Sequence, residues 1–301
     1  MNKSNILRIA TFNIRFDFNN GAIAPSIAKT VNTAGERPWH IRRRRVADTI
    51  LFHKIDIVGL QEALKNQISD LEALLGQDWH WVGVGRDDGK EAGEFVPIFY
   101  NKTRVELLES KYYWLSETPD VSGSKGWDAD LPRVVTQTRF LDLITGKKFW
   151  FINTHFDNTG SLAREESAKL ILRQSQDLFK SPDPVFLTGD FNCQENEEPY
   201  KLLTGKKYAN NNDNTNFASL SFADTRYEIS NKSIETSYGF SNTFTGFSSS
   251  VESIRIDFIM VNNNNLETQN VKVLNHGTMP NLYDDNLYIS DHRPVIADLI
   301  F

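Results

Sequence analysis

The chain has 301 residues, 40% hydrophobic and 12% aromatic, enough to bury one extensive core and, on length alone, enough for two domains. Its formal net charge of -6 argues against a protein that holds nucleic acid nonspecifically, because such binding draws on clustered Lys and Arg that release counterions from phosphates. A single cysteine, Cys193, excludes an intrachain disulfide, and no stretch reads as a membrane span.

Met1 to Asn5 runs into a first strand without a charged leader and apolar segment, so the cytoplasm is the default compartment. A periplasmic or secreted protein is expected only where a leader has been removed. The first strand closes on Thr11-Phe12-Asn13. Pro38-Trp39 opens a helix running to about His53. Within it Arg42 to Arg45, the only basic run, reads as the solvated face, since Val46, Ala47, Ile50 and Leu51 recur at helical spacing; a phosphate-binding patch is the alternative. Asp56 to Leu60 reads as a buried strand delivering Gln61 and Glu62. A second helix follows near Leu64 to Leu75, striped by Leu64, Ile68, Leu71 and Leu75. The strand Trp79 to Val84 leads into a Gly-rich charged loop, Gly85-Arg86-Asp87-Asp88-Gly89 through Gly93-Glu94, a candidate for substrate selection with Arg86 as its binding residue.

Between Phe95 and Phe151 the chain is rich in β-branched and aromatic residues, with Thr145-Gly146-Lys147 as a hairpin turn. Arg133 suits a phosphate or carboxylate, which its planar fork matches, or an ion pair with Asp128 or Asp130. Phe149 to Ile152 delivers Asn153 and His155. A helix spans about Leu162 to Phe179, and Pro182 stops it. Pro184-Val185-Phe186-Leu187 is too short for a helix and lies between Pro and Gly, so it is a buried strand delivering Asp190 and Asn192. Gly205 to Ser250 is dense in Asn, Ser and Thr. Its Asn210-Asn211-Asn212 run reads as solvated loop, and Phe240, Phe244 and Phe247 as cleft wall or plain loop. Ile254 to Ile256 delivers Asp257, and Ser290-Asp291-His292 leads into Val295-Ile296.

Polar groups at the ends of buried strands suit metal-assisted hydrolysis of a phosphate ester. The ester's charge repels hydroxide, and a hard cation held by one or two carboxylates neutralises it; Glu62 is the natural ligand. Removing a proton from water calls for a carboxylate, which Asp190 supplies, and phosphoryl charge calls for an imidazole, which Asp257 and His292 supply together. Six scattered histidines without metal-ligand spacing favour Mg²⁺ or Mn²⁺ over zinc. Each residue alone has a plainer reading. Gly189-Asp190-Phe191-Asn192 could be a capped turn, Asp257 a satisfied buried carboxylate, His292 a turn histidine and Glu62 a helix N-terminal charge. Their joint occurrence favours a site, and Cys193 beside it reads as a packed small residue.

In this order the segments around Asn13, Glu62, His155, Asp190, Asp257 and His292 resemble the endonuclease/exonuclease/phosphatase superfamily over nearly the whole chain. That superfamily includes abasic-site endonucleases, deadenylases, inositol polyphosphate phosphatases and neutral sphingomyelinases. The resemblance implies one domain over residues 1–301 with a DNase I-like fold, a four-layered α/β/β/α sandwich of two packed mixed sheets with outer helices and a divalent-metal site at one rim. It implies metal contacts from Glu62 and Asp291, with Asn13 beside them, and a phosphate contact from His155. Asp190 would orient or deprotonate water with Asn192 hydrogen-bonded nearby, and Asp257 would fix the tautomer of His292. Where some abasic-site nucleases carry an acid two positions after the Asn, this chain has Arg15, so the metal shell departs from theirs. The Gly-Arg-Asp-Asp-Gly loop, with Trp114 to Pro119 and Gly126-Trp127-Asp128, looks like a bacterial and fungal branch that brings no substrate with it.

The expected protein is a monomeric Mg²⁺-dependent phosphoesterase acting on a small phosphorylated or phosphodiester-linked compound, with Arg133, Asn153 and Arg86 toward the substrate. A nuclease or deadenylase is the alternative, and it requires a local basic, aromatic-lined groove. A catalytically silent phosphate-binding module is the third reading.

Overall fold

Alternating side chains point to opposite faces of a strand, and in this chain that alternation decides both the layering and the position of the polar cluster. The computed structural model describes residues 5–19, 35–206, 220–230, 237–268 and 270–301, so the Asn210-Asn211-Asn212 run lies outside the described residues.

One mixed sheet has seven strands in the order β10 (Tyr238–Gly239), β12 (Lys272–Thr278), β13 (Val295–Ile300), β1 (Leu7–Asn13), β2 (Ile57–Gln61), β4 (Ile98–Asn101) and β3 (Trp79–Val82). The other has six, in the order β5 (Val105–Trp114), β6 (Val134–Asp142), β7 (Lys148–His155), β8 (Val185–Asp190), β11 (Asp257–Asn262) and β9 (Phe222–Asp224). At the centre of each sheet a parallel pair, β1 with β2 and β7 with β8, is flanked by antiparallel neighbours. The predicted hairpin joins β6 to β7, with Gly146 at φ 72°, a value glycine adopts without a Cβ penalty.

Three apolar layers follow. Leu7, Ile9, Ile57, Phe149, Phe151, Phe186 and Ile259 fill the space between the sheets. Ala10, Phe12, Val58 and Leu60 face the other way, against α1 (Trp39–Phe52) and α2 (Lys65–Leu75). Ile152, Leu187, Phe258 and Met260 meet α3 (Ser161–Gln174), α4 (Gln176–Lys180) and α5 (Glu198–Leu203). A short α6 (Asn263–Glu267) follows β11. Each fully buried Phe contributes roughly 1.5–3 kcal/mol of burial, so the middle layer holds the sheets face to face. The architecture is the expected four-layered sandwich.

Three expectations need correction. The helix placed over Leu162 to Phe179 is two helices that break at Ser175, where the chain turns to bring Leu178 and Phe179 onto the sheet. Asp257 opens β11 rather than closing a preceding strand; β11 runs antiparallel to β8, so its first residue meets the last of β8, Asp190. Arg42 is not on a solvated face. It is fully buried, and its guanidinium donates to the carbonyls of Ile14 and Ile289 at 2.8 Å each and to that of Arg37 at 2.8 Å. Arg43 and Arg45 reach outward to Asp70 and Asp285 instead. No helix among the described residues is long and apolar enough to cross a membrane.

Candidate active site

The same inward-facing positions that are apolar at one end of the interlayer become polar at the other. In β1 the inward series is Leu7, Ile9, Thr11, Asn13; in β2 it is Ile57, Gly59, Gln61; in β7 it is Phe149, Phe151, Asn153, His155; in β8 it is Phe186, Thr188, Asp190. A belt of uncharged polar groups therefore separates the apolar layer from the charged rim. Gln61 Nε2 donates to Thr11 Oγ1 at 3.0 Å and Asn153 Oδ1 at 2.7 Å, and Thr188 Oγ1 donates to the same Asn153 oxygen at 3.1 Å. Gly59 makes room for this network, since a Cβ there would collide with the Asn153 amide and lie 2.7 Å from Thr188 Oγ1.

Asn153 is consequently not a cleft residue. It is fully buried, and its amide donates to the carbonyls of Leu60 and Pro97 at 2.8 and 3.2 Å, leaving no donor for a substrate. Its period-two partner His155 sits one step further along the strand and does face the cleft.

At the rim the predicted residues converge. Asn13 Nδ2 donates to Glu62 Oε1 at 2.9 Å and Asp190 Oδ2 at 3.0 Å. Glu62 Oε2 accepts from the Phe16 N–H at 3.2 Å; the following helix begins only at Lys65, so Glu62 is not a charge of its first turn. Asp190 Oδ1 accepts from the Asn192 N–H at 2.9 Å. Asp257 Oδ2 stands 2.8 Å from His292 Nδ1, and the other ring nitrogen of His292 faces Asp190 at 3.6 Å. Asn192 Nδ2 donates to the Phe156 carbonyl and to His155 Nε2, both at 3.0 Å. That nitrogen of His155 therefore acts as the acceptor, and the ring proton lies on Nδ1. Among the described residues six non-glycine positions have positive φ, and three are here: Arg15 at 58°, Glu62 at 62° and Asn192 at 46°. Such backbone costs about 1–3 kcal/mol per residue and concentrates at functional sites.

Burial and neighbouring charge give the titrating groups distinct states. Asp190 is pushed up to about 7 by burial and by the adjacent Asp257. Burial opposes the charged form of His292, but Asp257 and Asp190 overcome it and raise the imidazole to about 10. Burial, then the charges of Arg133 and Arg86, hold His155 well below its ordinary value. One histidine is thus a cation and the other neutral, 37 residues from its Asn192 contact in sequence yet beside it in space.

The cleft has a volume of about 440 Å³, within the roughly 300–1,000 Å³ range of small-molecule sites. Arg133 lines it together with the acidic groups. It pairs with Asp157 at 3.3 Å and Asn158 at 2.8 Å, not with Asp128 or Asp130; Asp128 instead accepts the N–H of Ala163 at the start of α3. Arg86 is set behind Arg133, buried and paired with Glu94 at 2.6 Å, and with Glu94 and His155 it lines a much smaller hollow. Glu94 itself reaches the cleft, so the Gly-rich loop does contribute there. Of the three predicted aromatics, Phe244 forms cleft wall, edge-on to His292 at 5.1 Å. Phe247 packs on Tyr288, and Phe240 lies under Arg293. Cys193 is buried in the α3 layer, and burial raises its thiol pKa far above the ordinary value. A larger hollow, about 720 Å³, crosses the outer face of the seven-stranded sheet, but its floor is the satisfied Arg8–Asp298 pair and holds no comparable cluster.

Glu36, Asp157 and Thr243 contact site residues, and the sequence did not single them out. Thr243 Oγ1 accepts from the Ile256 and Asp257 N–H groups at 3.0 and 3.1 Å. Each meets its partner from a loop, and no periodicity signals such a contact.

Two groupings could hold a metal ion. Asp190, Asp257 and His292 offer ligand atoms within 4.8 Å of one another, but the proton shared by His292 and Asp257 fills that gap. Glu62 and Asp291 fit better. Their oxygens lie 3.7 and 3.8 Å from the same Arg15 nitrogen, Nη1, so both carboxylates reach one region of the cleft. They are hard carboxylate donors on the cleft lining, as Mg²⁺ and Mn²⁺ prefer.

Comparisons with known proteins agree with the fold. The family model described as Endonuclease/Exonuclease/phosphatase family matches residues 10–292. An uncharacterized protein of Acanthamoeba polyphaga mimivirus is 30% identical over 166 residues, which span 52% of this chain and 60% of that relative's length. Among solved structures, an endonuclease/exonuclease/phosphatase from Bacteroides vulgatus is 36% identical with a TM-score of 0.78, the match covering 99% of each chain. A mannosyl-6-phosphatase of Bacteroides thetaiotaomicron is 31% identical with a TM-score of 0.77, covering 98% of this chain and 100% of that one.

Proposed function

Because the chain belongs to the endonuclease/exonuclease/phosphatase family, we propose that it is a metal-dependent phosphoesterase that removes the terminal phosphate of a small phosphorylated sugar. The observation that carries this reading is the convergence of Asp190, Asn192, His155, His292 and Arg133 on the lining of one compact cleft. A phosphomonoester is a dianion with three terminal oxygens, and an arginine, a charged histidine and hydrogen-bonding groups around one small volume suit it better than a long polyanion. The similarity to a mannosyl-6-phosphatase supports a sugar as the leaving group.

A Mg²⁺ or Mn²⁺ ion at Glu62 and Asp291, with Asn13 alongside, would neutralise phosphoryl charge and lower the pKa of attacking water. Asp190 takes the proton of the attacking water as its oxygen bonds to phosphorus and the P–O bond to the sugar breaks, the departing sugar oxygen taking a proton from solvent, and a pKa near 7 matches a general base working in neutral solution. His292 donates from Nε2 to a phosphoryl oxygen as charge gathers there, while Asp257 keeps the other nitrogen engaged. Asn192 and the neutral His155 fix the remaining oxygens, and the charge of Arg133 on the same lining offsets that of the dianion.

Release of inorganic phosphate from a panel of hexose phosphates, measured with Mg²⁺ and with excess chelator, tests the proposal. Turnover of sugar monoesters that stops in chelator and falls by about a hundredfold or more in Asp190→Asn supports it. Preferential cleavage of a diester or of single-stranded oligonucleotides, or full activity in chelator, overturns it.

A further inference from the structure

Of the carboxylates on the cleft lining, Glu62, Glu94, Asp190 and Asp291 each meet a positive charge. Glu62 and Asp291 reach Arg15 at 3.7 and 3.8 Å, Glu94 pairs with Arg86 at 2.6 Å, and Asp190 faces the imidazolium of His292 at 3.6 Å. Asp130 lines the same cleft, and among the described residues its carboxylate has no ion-pair or hydrogen-bond partner. Arg133, three positions on, is already matched by Asp157 at 3.3 Å. The segment that carries Asp130 is held in place: Asp157 Oδ2 accepts from the Leu131 N–H and from Arg133 Nε, both at 3.3 Å, while its Oδ1 accepts from the N–H groups of Thr159 and Gly160 at 3.0 and 2.7 Å. Asn158 accepts from Arg133 Nη2 through Oδ1 at 2.8 Å. Its acceptor is thereby used, and among the described residues no partner takes its amide N–H pair, which also lies on the lining. Leu131, Phe244, Ile254 and Ile256 add apolar surface beside these groups.

We propose that Asp130 selects the part of the substrate that is not phosphate: a neutral, hydroxyl-bearing sugar with a single phosphate, whose hydroxyls Asp130 and Asn158 bind and on which Asp130 refuses a second anionic group. The proposal rests on the sugar-phosphatase reading above and narrows its substrate class. A sugar hydroxyl donates one hydrogen bond and accepts others, so a carboxylate without a partner and an unused amide N–H pair meet both needs, while the C–H faces of the ring lie on the apolar residues. The same charge sets the selectivity. A carboxylate lacking a counter-ion repels a second phosphate, or the carboxylate of a sugar acid, in a cleft partly withdrawn from water. Discrimination then comes from a penalty against the wrong substrate as well as from fit to the right one.

Steady-state phosphate release by the whole chain with Mg²⁺, from mannose 6-phosphate, mannose 1,6-bisphosphate and p-nitrophenyl phosphate, tests the proposal. The wild type should favour the sugar monophosphate over the bisphosphate in kcat/KM. Asp130→Ala should lower kcat/KM for mannose 6-phosphate about tenfold relative to p-nitrophenyl phosphate, which offers no hydroxyl, with the loss in KM rather than kcat, as removal of a hydrogen bond to a charged group predicts. Asp130→Asn keeps the shape and removes the charge, so it should raise kcat/KM for the bisphosphate relative to the monophosphate about tenfold at low ionic strength. Asp130 is exposed, so neither substitution removes a core contact. A sugar-to-aryl ratio unmoved in Asp130→Ala overturns the hydroxyl contact, and a mono- to bisphosphate ratio unmoved in Asp130→Asn, or a wild type that prefers the bisphosphate, overturns the charge filter. A wild type that releases phosphate from p-nitrophenyl phosphate and from no hexose phosphate overturns the sugar-phosphatase reading itself.

Discussion

Asp257 engages His292 through one of its two carboxylate oxygens while the other, Oδ1, is buried without a hydrogen-bond partner. Replacing it with Asn keeps the shape but offers His292 the wrong hydrogen-bonding group, and it removes the nearest negative charge that sustains the imidazolium. Asp257→Asn should lower the rate of phosphate release by on the order of a hundredfold or more, with a melting temperature close to that of the wild type. An unchanged rate would remove the pair from the mechanism. At this scale the convergence of polar groups was readable where a polar side chain falls at or just past a strand end, as at Asn13, Glu62 and Asp190. Arg42 could not be read this way. Helical spacing identified a charged position, but the carbonyls that draw it inward lie 28 and 247 residues away in Ile14 and Ile289.

Among the elements, β2 carries the tightest constraint, because Gly59 allows the Asn153 amide and Thr188 to close over it. A methyl group there forces the β2 and β7 strand ends apart in a layer with no spare volume. Gly59→Ala should destabilise the fold by about 1–3 kcal/mol, as overpacking does, and reduce activity because Glu62 and His155 are carried by those same strand ends. Chemical denaturation together with phosphate release would measure both effects, and a stable, fully active variant would show that the belt tolerates the shift. The strands themselves were legible from short apolar runs bounded by Pro and Gly. The break at Ser175 was not, since Ala168, Ile171, Leu172 and Leu178 keep helical intervals across it. The direction of β11 was also hidden, because an apolar run flanked by an acid does not say which end meets the neighbouring strand.

For the whole molecule, the buried histidines tie stability to acidity. His276 is held down to about 3, chiefly by burial, with Arg255 and Arg226 acting in the same sense and Asp224 against it; Thr225 Oγ1 is its one hydrogen-bond partner, at 2.9 Å. A depressed folded-state pKa means the unfolded chain binds the proton first, so stability is present above about 6.5 and is lost as pH falls toward 3. At pH 5 this one residue should account for a loss on the order of 2 kcal/mol, read as a drop in the urea midpoint between pH 7 and pH 5 that shrinks in His276→Gln. The polar belt has a further consequence, for how the molecule breathes. The sheets are bonded by phenylalanines and aliphatics at one end of the interlayer and by a few amide and hydroxyl contacts at the other, so the sandwich is hinged like a book with its spine at the apolar end. Partial openings should begin at the rim and stop at the belt. In native-state hydrogen exchange, amides near Asn13, Gln61 and His155 should exchange through small local openings, while those near Ile9, Ile57 and Phe151 wait for global unfolding. Uniform protection along each strand would show that the two ends separate together.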